Sequence, residues 1–126
     1  MTDRFDGVVL IAHGARDARW MAPFWTMRNE LVKKLAPTPV ALSFLEFAEP
    51  RFSEAVAQLR AAGARQVLVT PIFLSGRGHV ANDVPGLVEA ERARYPEMGF
   101  VVTGAIGEEP EVASAMAAAI ARLSRG

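Results

Sequence analysis

The chain has 126 residues, of which 51% are hydrophobic and 22% charged, a composition typical of one soluble globular domain. Fourteen basic residues balance fourteen acidic ones, so the formal net charge is zero. A neutral chain lacks the bulk positive charge that binds nucleic acid or an anionic membrane surface, which disfavours both kinds of partner. The chain contains no cysteine, which excludes disulfides, thiolate metal sites and cysteine nucleophiles.

The first residues do not resemble a secretory signal. Residues 1–6 carry two acidic side chains, and the apolar run that follows covers only residues 7–12. No stretch approaches the roughly 20 apolar residues that a membrane-spanning helix needs. The sequence therefore predicts a cytoplasmic protein.

Four continuous apolar runs predict four strands, at residues 7–12, 40–45, 66–74 and 100–104. Continuous runs, rather than alternating ones, are typical of strands buried on both faces. Amphipathic stretches between and after them predict four helices, near residues 19–35, 51–62, 82–95 and 110–124. This alternation predicts an α/β fold with a parallel sheet between two layers of helices. The simplest arrangement is a flavodoxin-like sandwich with strand order 2-1-3-4, in a single domain spanning residues 1–126.

The spacing of apolar residues predicts which face of each helix points inward. In the first helix this face comprises Trp20, Phe24, Met27, Leu31 and Leu35, and in the second Phe52, Ala55, Val56 and Leu59. Gly63 is expected to end the second helix. The third is expected to start near Asn82, with Pro85 in its first turn. The fourth follows Pro110, and its alanine-rich interior predicts close packing.

The only two histidines of the chain follow predicted strands. His13 comes directly after strand 1 and His79 shortly after strand 3, while Glu46 ends strand 2. Ligands of open parallel sheets bind beyond the carboxyl ends of the strands, where the strand order reverses, here between strands 1 and 3. Topology therefore predicts that these three side chains converge at one edge, although each taken alone could be an ordinary loop residue.

The residues at this edge disfavour several kinds of enzyme. Residues 13–17 lack both a glycine-rich phosphate loop and its lysine, and the chain has no G-x-S-x-G motif. Imidazole and carboxylate ligands without thiols instead suit divalent cobalt, nickel or iron. So few ligands indicate a metal that is handed on rather than stored.

Three segments are together similar to the short-form CbiX-type sirohydrochlorin chelatases, a class II tetrapyrrole chelatase family. They are residues 11–17 (IAHGARD), 44–50 (FLEFAEP) and 71–85 (PIFLSGRGHVANDVP). The resemblance implies a lyase-class enzyme that inserts Co²⁺ into sirohydrochlorin in cobalamin or siroheme biosynthesis, with Fe²⁺ or Ni²⁺ as alternative metals. It also implies a homodimer, and no prosthetic group is expected. One departure is Ala15, where the family commonly has serine.

The resemblance also implies roles for individual residues. The family's two metal-site histidines fall on His13 and His79, and its strand-2 acid falls on Glu46. We expect the histidines to bind the metal or accept pyrrole protons, and Glu46 to orient a histidine or accept a proton. Sirohydrochlorin carries several carboxylates, and Arg16 and Arg77, which neighbour the histidines, are expected to bind them through forked hydrogen bonds. The alternative is that both arginines are solvated loop charges.

Other readings of the same residues remain open. A non-catalytic carrier of metal or tetrapyrrole would use the same histidine pair without turnover. A flavodoxin-like binding module fits less well, because no phosphate loop is present. The extra apolar residues Met21 and Trp25 of the first helix predict either a dimer interface or a lid over the tetrapyrrole.

Overall fold

Four parallel strands form the centre of the computed structural model, which describes residues 4–126 and, for residues 79–81, the backbone only. The strands are β1 (Gly7–Ala12), β2 (Val40–Phe44), β3 (Gln66–Pro71) and β4 (Gly99–Val102). Their order is β2-β1-β3-β4 and every pairing is parallel, which confirms the predicted α/β topology. No helix within the described residues is long and apolar enough to cross a membrane.

Four α-helices and two short 3-10 helices accompany these strands in the described chain. The α-helices are α1 (Ala22–Leu35), α2 (Phe52–Ala61), α3 (His79–Arg94) and α4 (Pro110–Ser124). The 3-10 helices are η1 (Ala18–Trp20) and η2 (Ile106–Glu108). The predicted bounds of α2 and α4 are confirmed, and Gly63, at a φ of +96°, follows α2 as expected.

The larger part of the core lies on the face of the sheet beneath α2 and α3. All four predicted inward residues of α2 are buried there, together with β-strand residues such as Val9, Ile11, Val67 and Val69. Each buried side chain of this size contributes about 1.5–3 kcal/mol of hydrophobic stabilisation. On the opposite face a smaller cluster, which includes Leu10, Leu42 and Phe44, packs against α1. The two clusters hold the sheet rigid and so position the loops at its carboxyl edge.

The predicted inward face of α1 is partly wrong. Trp20 precedes the helix, in η1, and is 73% exposed, while Met27 is 40% exposed. The helix begins only at Ala22, so Trp20 is not part of its inward face. The partly buried residues Met21, Phe24, Leu31, Val32 and Leu35 pack against the core cluster on this face of the sheet, and the centroid of the Trp25 ring lies 5.9 Å from that of Phe44.

The start of α3 also differs from the prediction. The helix begins at His79, after Gly78 at a φ of +115°, so Pro85 lies in the second turn rather than the first. Proline there removes one backbone hydrogen bond, a loss that the rest of this 16-residue helix tolerates. The first turn is formed by a hydrogen bond from the Asn82 N–H to the Gly78 carbonyl, at 3.2 Å. The earlier start makes His79 the first residue of a helix at the carboxyl edge.

Asp6 ties the start of β1 to the start of β3. Its carboxylate accepts hydrogen bonds from the backbone N–H groups of Arg65, at 2.9 Å, and Gln66, at 2.7 Å. Partial burial pulls the pKa of Asp6 upward, but the amide donors outweigh burial and lower this pKa below its ordinary value. A lowered folded-state pKa stabilises the fold above the unfolded pKa of about 4, and the effect is lost as pH falls through the folded value.

We expect Asp6→Asn to lower the free energy of unfolding by about 1 kcal/mol at neutral pH, because charged acceptors form stronger hydrogen bonds than amides. The deficit relative to the parent should shrink as pH falls below about 4, the unfolded-state pKa, and should be lost once pH has passed the lowered folded-state pKa, where the folded parent's carboxyl is neutral too. Urea unfolding at neutral and acid pH measures both values. An equal deficit at the two pH values would contradict this account of Asp6.

Candidate functional site

The pairing of β1 with β2 continues past the strand ends and brings two predicted site residues together. The Leu45 N–H donates to the Ala12 carbonyl at 3.0 Å, and the Glu46 N–H donates to the His13 carbonyl at 3.0 Å. These bonds hold the backbones of His13 and Glu46 side by side at the carboxyl edge. His13 Nε2 lies 3.8 Å from Glu46 Oε2, and the two side chains are 56% and 51% exposed.

Gly14 allows this close approach. It has a φ of +96°, and a Cβ built on it would overlap the carbonyl oxygen of Glu46. Only glycine combines this backbone conformation with room for a neighbouring backbone. This glycine therefore permits a close approach by the loop after β2.

The His13–Glu46 pair has the chemistry of a weak metal site or a proton-transfer pair. A neutral imidazole can bind a divalent metal or accept a proton, and a nearby carboxylate can orient the ring or receive the proton. Both side chains are open to solvent, so a metal ion and a substrate can reach them. In the described part of the chain, no three His, Cys, Asp or Glu residues are grouped to hold a metal.

His79 lies at the same edge of the sheet as this pair. The loop that leads to it follows β3, which stays paired with β1 as the Ile72 N–H donates to the Ile11 carbonyl at 2.7 Å. The side chain of His79 lies outside the described residues. Its convergence with His13, and its role as a second metal ligand, therefore stay predictions.

The two predicted carboxylate-binding arginines have different surroundings. The Arg16 guanidinium carbon lies 4.7 Å from the centroid of the Phe47 ring, a cation–π geometry. Arg77 lies in the loop between β3 and α3, is exposed, and donates its backbone N–H to Ser75 Oγ at 3.2 Å. The structure therefore places the Arg16 guanidinium against the Phe47 ring, whereas Arg77 lies in an exposed loop.

Phe47 is a feature of the site that the sequence analysis missed. Its φ is +64°, in the left-handed region that bulky residues rarely adopt, and its side chain is 53% exposed. Such a conformation costs on the order of 1–3 kcal/mol and persists mainly at functional positions. The strained backbone holds an aromatic ring in solvent directly beside Glu46. An aromatic residue immediately after the predicted site acid was the signal that could have indicated it.

The loops after β3 and β4 are joined and border an apolar cavity. The Gly107 N–H donates to the Phe73 carbonyl at 2.9 Å, and the Gly76 N–H donates to the Glu108 carboxylate. The cavity has a volume of about 190 Å³, and its lining includes Phe73 and Val84. It is smaller than the roughly 300–1,000 Å³ of ordinary small-molecule sites. One chain thus offers a partial apolar wall at this edge.

The chain matches the family model described as CbiX over residues 7–123. It is 30% identical over 106 residues to the sirohydrochlorin cobaltochelatase of Priestia megaterium, in an alignment that covers 82% of this chain and 34% of that protein. The chain therefore spans about a third of that relative's length.

Solved structures share the fold. A CbiX protein from Marinobacter aquaeolei VT8 matches with a TM-score of 0.82 and 28% identity, over 95% of this chain and 98% of that one. The sirohydrochlorin chelatase SirB from Bacillus subtilis subspecies spizizenii, in complex with cobalt, matches with a TM-score of 0.75 and 25% identity, over 92% of this chain and 50% of SirB. The family match includes the whole sheet and both histidine positions. This chain belongs to the CbiX family.

Proposed function

We propose that this chain inserts a divalent metal, Co²⁺ in the first instance, into sirohydrochlorin, as a metal chelatase of the lyase class. Membership of the CbiX family and the similarity to a sirohydrochlorin cobaltochelatase support the proposal. The observation that carries it is the solvent-open His13–Glu46 pair, 3.8 Å apart at the carboxyl edge of the sheet. Metal and macrocycle are both substrates, and the exchange of ligands around the metal requires no prosthetic group.

Metal insertion needs a loosely held metal and a base for the two pyrrole protons. A neutral imidazole at His13 can supply either function near pH 7. Glu46, within 3.8 Å of Nε2, can orient that ring or accept the proton from it. We assign His79 as the second imidazole. Two protein ligands leave the remaining coordination positions to water and then to the macrocycle nitrogens, so the metal can leave the protein.

Arg16 and Phe47 form a proposed binding wall for the macrocycle. The ring of Phe47 offers a flat apolar surface, and the guanidinium 4.7 Å from its centroid can still form a forked pair with a substrate carboxylate. Arg77 would bind a second carboxylate from the loop after β3. Leu74, in the same loop and 71% exposed, adds apolar surface.

We expect Arg16→Ala to raise KM for sirohydrochlorin about tenfold with little change in kcat, because a carboxylate clamp binds ground and transition states alike. Phe47→Leu should raise KM in the same direction, since the guanidinium loses its support and the macrocycle its flat contact. Arg77→Ala should also raise KM if Arg77 binds a second carboxylate of the macrocycle. Lys34→Ala, in the last turn of α1, is the control and should leave KM unchanged. If Arg16→Ala had the parental KM for sirohydrochlorin, Arg16 would be a solvated loop charge without a role in substrate binding.

We also propose that the protein works as a homodimer of single domains spanning residues 1–126. The apolar cavity at the site edge is small for a ligand site, and a second copy could complete it. The alignment with SirB covers half of that chain, so two copies would match its length. Sedimentation velocity at micromolar concentration tests the oligomeric state. The cytoplasmic location stays a prediction.

Steady-state absorbance with purified protein, Co²⁺ and sirohydrochlorin tests the activity. We expect the macrocycle spectrum to convert to that of the metallated product well beyond one equivalent of protein. Conversion that stops at one equivalent of protein would instead favour a non-catalytic carrier of metal or tetrapyrrole. Competition among Co²⁺, Fe²⁺ and Ni²⁺ then ranks the metals, because imidazole and carboxylate ligands accept all three.

A further inference from the structure

The loop between β3 and α3 has little packing of its own. Its residues 74–78 are all exposed, and two of these five positions are glycine, which has more backbone freedom than any other residue. Such a loop samples many conformations unless another part of the chain holds it. This loop carries Arg77 and leads directly into His79, so its conformation decides where both residues lie at the carboxyl edge.

The short helix η2, which follows β4, packs directly on this loop. The Gly107 N–H donates to the Phe73 carbonyl at 2.9 Å. A Cβ built on Gly107 would lie only 2.4 Å from the Cα atom of Leu74, so the backbones of η2 and the loop are in contact with no space between them. Glycine at position 107 therefore permits the first attachment of the loop to η2.

Glu108 makes the second attachment, closer to the site residues. Its carboxylate accepts a hydrogen bond from the Gly76 N–H, and a Cβ built on Gly76 would lie 2.7 Å from Glu108 Oε1. In the described part of the chain, no other side chain from outside the loop forms a hydrogen bond with residues 74–78. Glu108 thus holds the loop one residue before Arg77.

The helix that carries Glu108 is itself well anchored. Ala105, directly before η2, is buried, and its carbonyl accepts a hydrogen bond from the Glu108 N–H at 3.0 Å. The Glu109 N–H donates to the Ile106 carbonyl at 3.1 Å and completes the turn. Because η2 is fixed to the end of β4, the Glu108 carboxylate is presented to the loop from a rigid support.

We propose that Glu108 is a positioning residue of the metal-insertion site. Its hydrogen bond to the Gly76 N–H holds the backbone that carries Arg77 and His79, so both residues are in place before the macrocycle arrives. A loop that is already ordered lowers the entropic cost of binding and of reaching a reactive geometry. Glu108 acts through the loop and not by contact with metal or macrocycle. This inference rests on the proposed function.

Enzyme kinetics give the first test. Glu108→Ala should lower kcat/KM for sirohydrochlorin about tenfold or more, because the loop loses a hydrogen bond to a charged acceptor. KM should rise and kcat should fall together, since the same loop carries an arginine assigned to binding and a histidine assigned to the chemistry. Glu108→Gln keeps an acceptor oxygen and should stay within about threefold of the parent. Glu109→Gln is the matched control and should have parental kinetics.

Gly76→Ala disrupts the same contact from the other side. The added Cβ would lie 2.7 Å from Glu108 Oε1 and so displaces the carboxylate without changing Glu108 itself. We expect its kinetics to resemble those of Glu108→Ala. In the double variant the shortened side chain leaves room for the Cβ, so the combined loss should not exceed that of the more affected single variant. Losses that multiply would mean that the two residues act independently, against the proposal.

Trypsin cleavage after Arg77 measures the loop without metal, macrocycle or turnover. Glu108→Ala should raise the rate of this cleavage about tenfold, because a loop released from η2 opens more often. Cleavage after Arg60, within α2, reports global unfolding and should keep the parental rate. Glu108→Gln and Glu109→Gln should both resemble the parent. Mass spectrometry assigns each fragment to its cleavage site.

The two measurements together decide the role of Glu108. Faster cleavage after Arg77, combined with the loss of kcat/KM in Glu108→Ala and its recovery in Glu108→Gln, supports the proposal. Parental kinetics in Glu108→Ala overturn it, whether or not cleavage is faster, and so does an equal loss of kcat/KM in the alanine and glutamine variants. A parent protein that inserts no metal overturns the proposed function instead, and the trypsin rates still show whether Glu108 holds the loop.

Discussion

Replacing His13 by alanine should lower kcat for cobalt insertion by about 100-fold or more, because the variant loses the imidazole that binds the metal or accepts the pyrrole proton. The ring is 56% exposed and packs in no core cluster, so the melting temperature should stay close to that of the parent. Steady-state kinetics with sirohydrochlorin and Co²⁺ measures kcat and KM, and thermal unfolding checks the fold. A kcat equal to the parent's would remove His13 from the mechanism.

Variants of the neighbouring residues divide the roles within the site. His79→Ala should lose activity to a similar extent if the two imidazoles act together, and full activity would remove His79 from the site. Glu46→Gln keeps the size of the side chain and should lose activity if the carboxylate accepts or relays a proton. Glu49→Gln, three residues further along the same loop, is the matched control and should retain parental kcat.

Replacing Gly14 by alanine should both unsettle the fold and abolish activity. The added Cβ would overlap the carbonyl oxygen of Glu46, and a φ of +96° is itself unfavourable for alanine. We expect the free energy of unfolding to fall by about 3 kcal/mol or more. Relief of the overlap would separate His13 from Glu46, so the loss of kcat should resemble that of His13→Ala.

Gly63→Ala is the matched control for this substitution. Gly63 has the same φ of +96°, but a Cβ built there meets no atom within 4 Å. It should therefore show the backbone effect alone, a loss of about 1 kcal/mol with parental kcat. The difference between the two variants, measured by urea unfolding, isolates the overlap at Gly14. Equal losses of stability would mean that the approach of the two loops is not tightly constrained.

The placement of the site could be predicted from the sequence because it depends on local patterns and topology. Continuous apolar runs are typical of buried parallel strands, and parallel strands end at a common edge. His13 and Glu46 follow two such runs, so their proximity follows once the order 2-1-3-4 is chosen. The buried face of α2 was also predictable from a local pattern, because its apolar residues recur with the spacing that places them on one face of a helix.

Other features depend on interactions between distant residues, which periodicity does not encode. The positive φ of Phe47 arises where the loop after β2 turns while bonded to the end of β1. The early start of α3 places Pro85 inside the helix, which local preferences disfavour. In both places tertiary structure overrides the preference of a single residue.

The sequence by itself determined the strands, the faces of α2, and the common edge on which His13 and Glu46 lie, because each follows from hydrophobic period and chain direction. Only the tertiary structure decided which helices pack on the sheet of their own chain. The apolar residues Met116, Ile120 and Leu123 of α4 have the spacing of an ordinary buried face, yet they are 43%, 66% and 67% exposed in the single chain. An apolar pattern predicts that one face of a helix is buried. The geometry of the folded chain decides whether that face packs on the chain's own sheet.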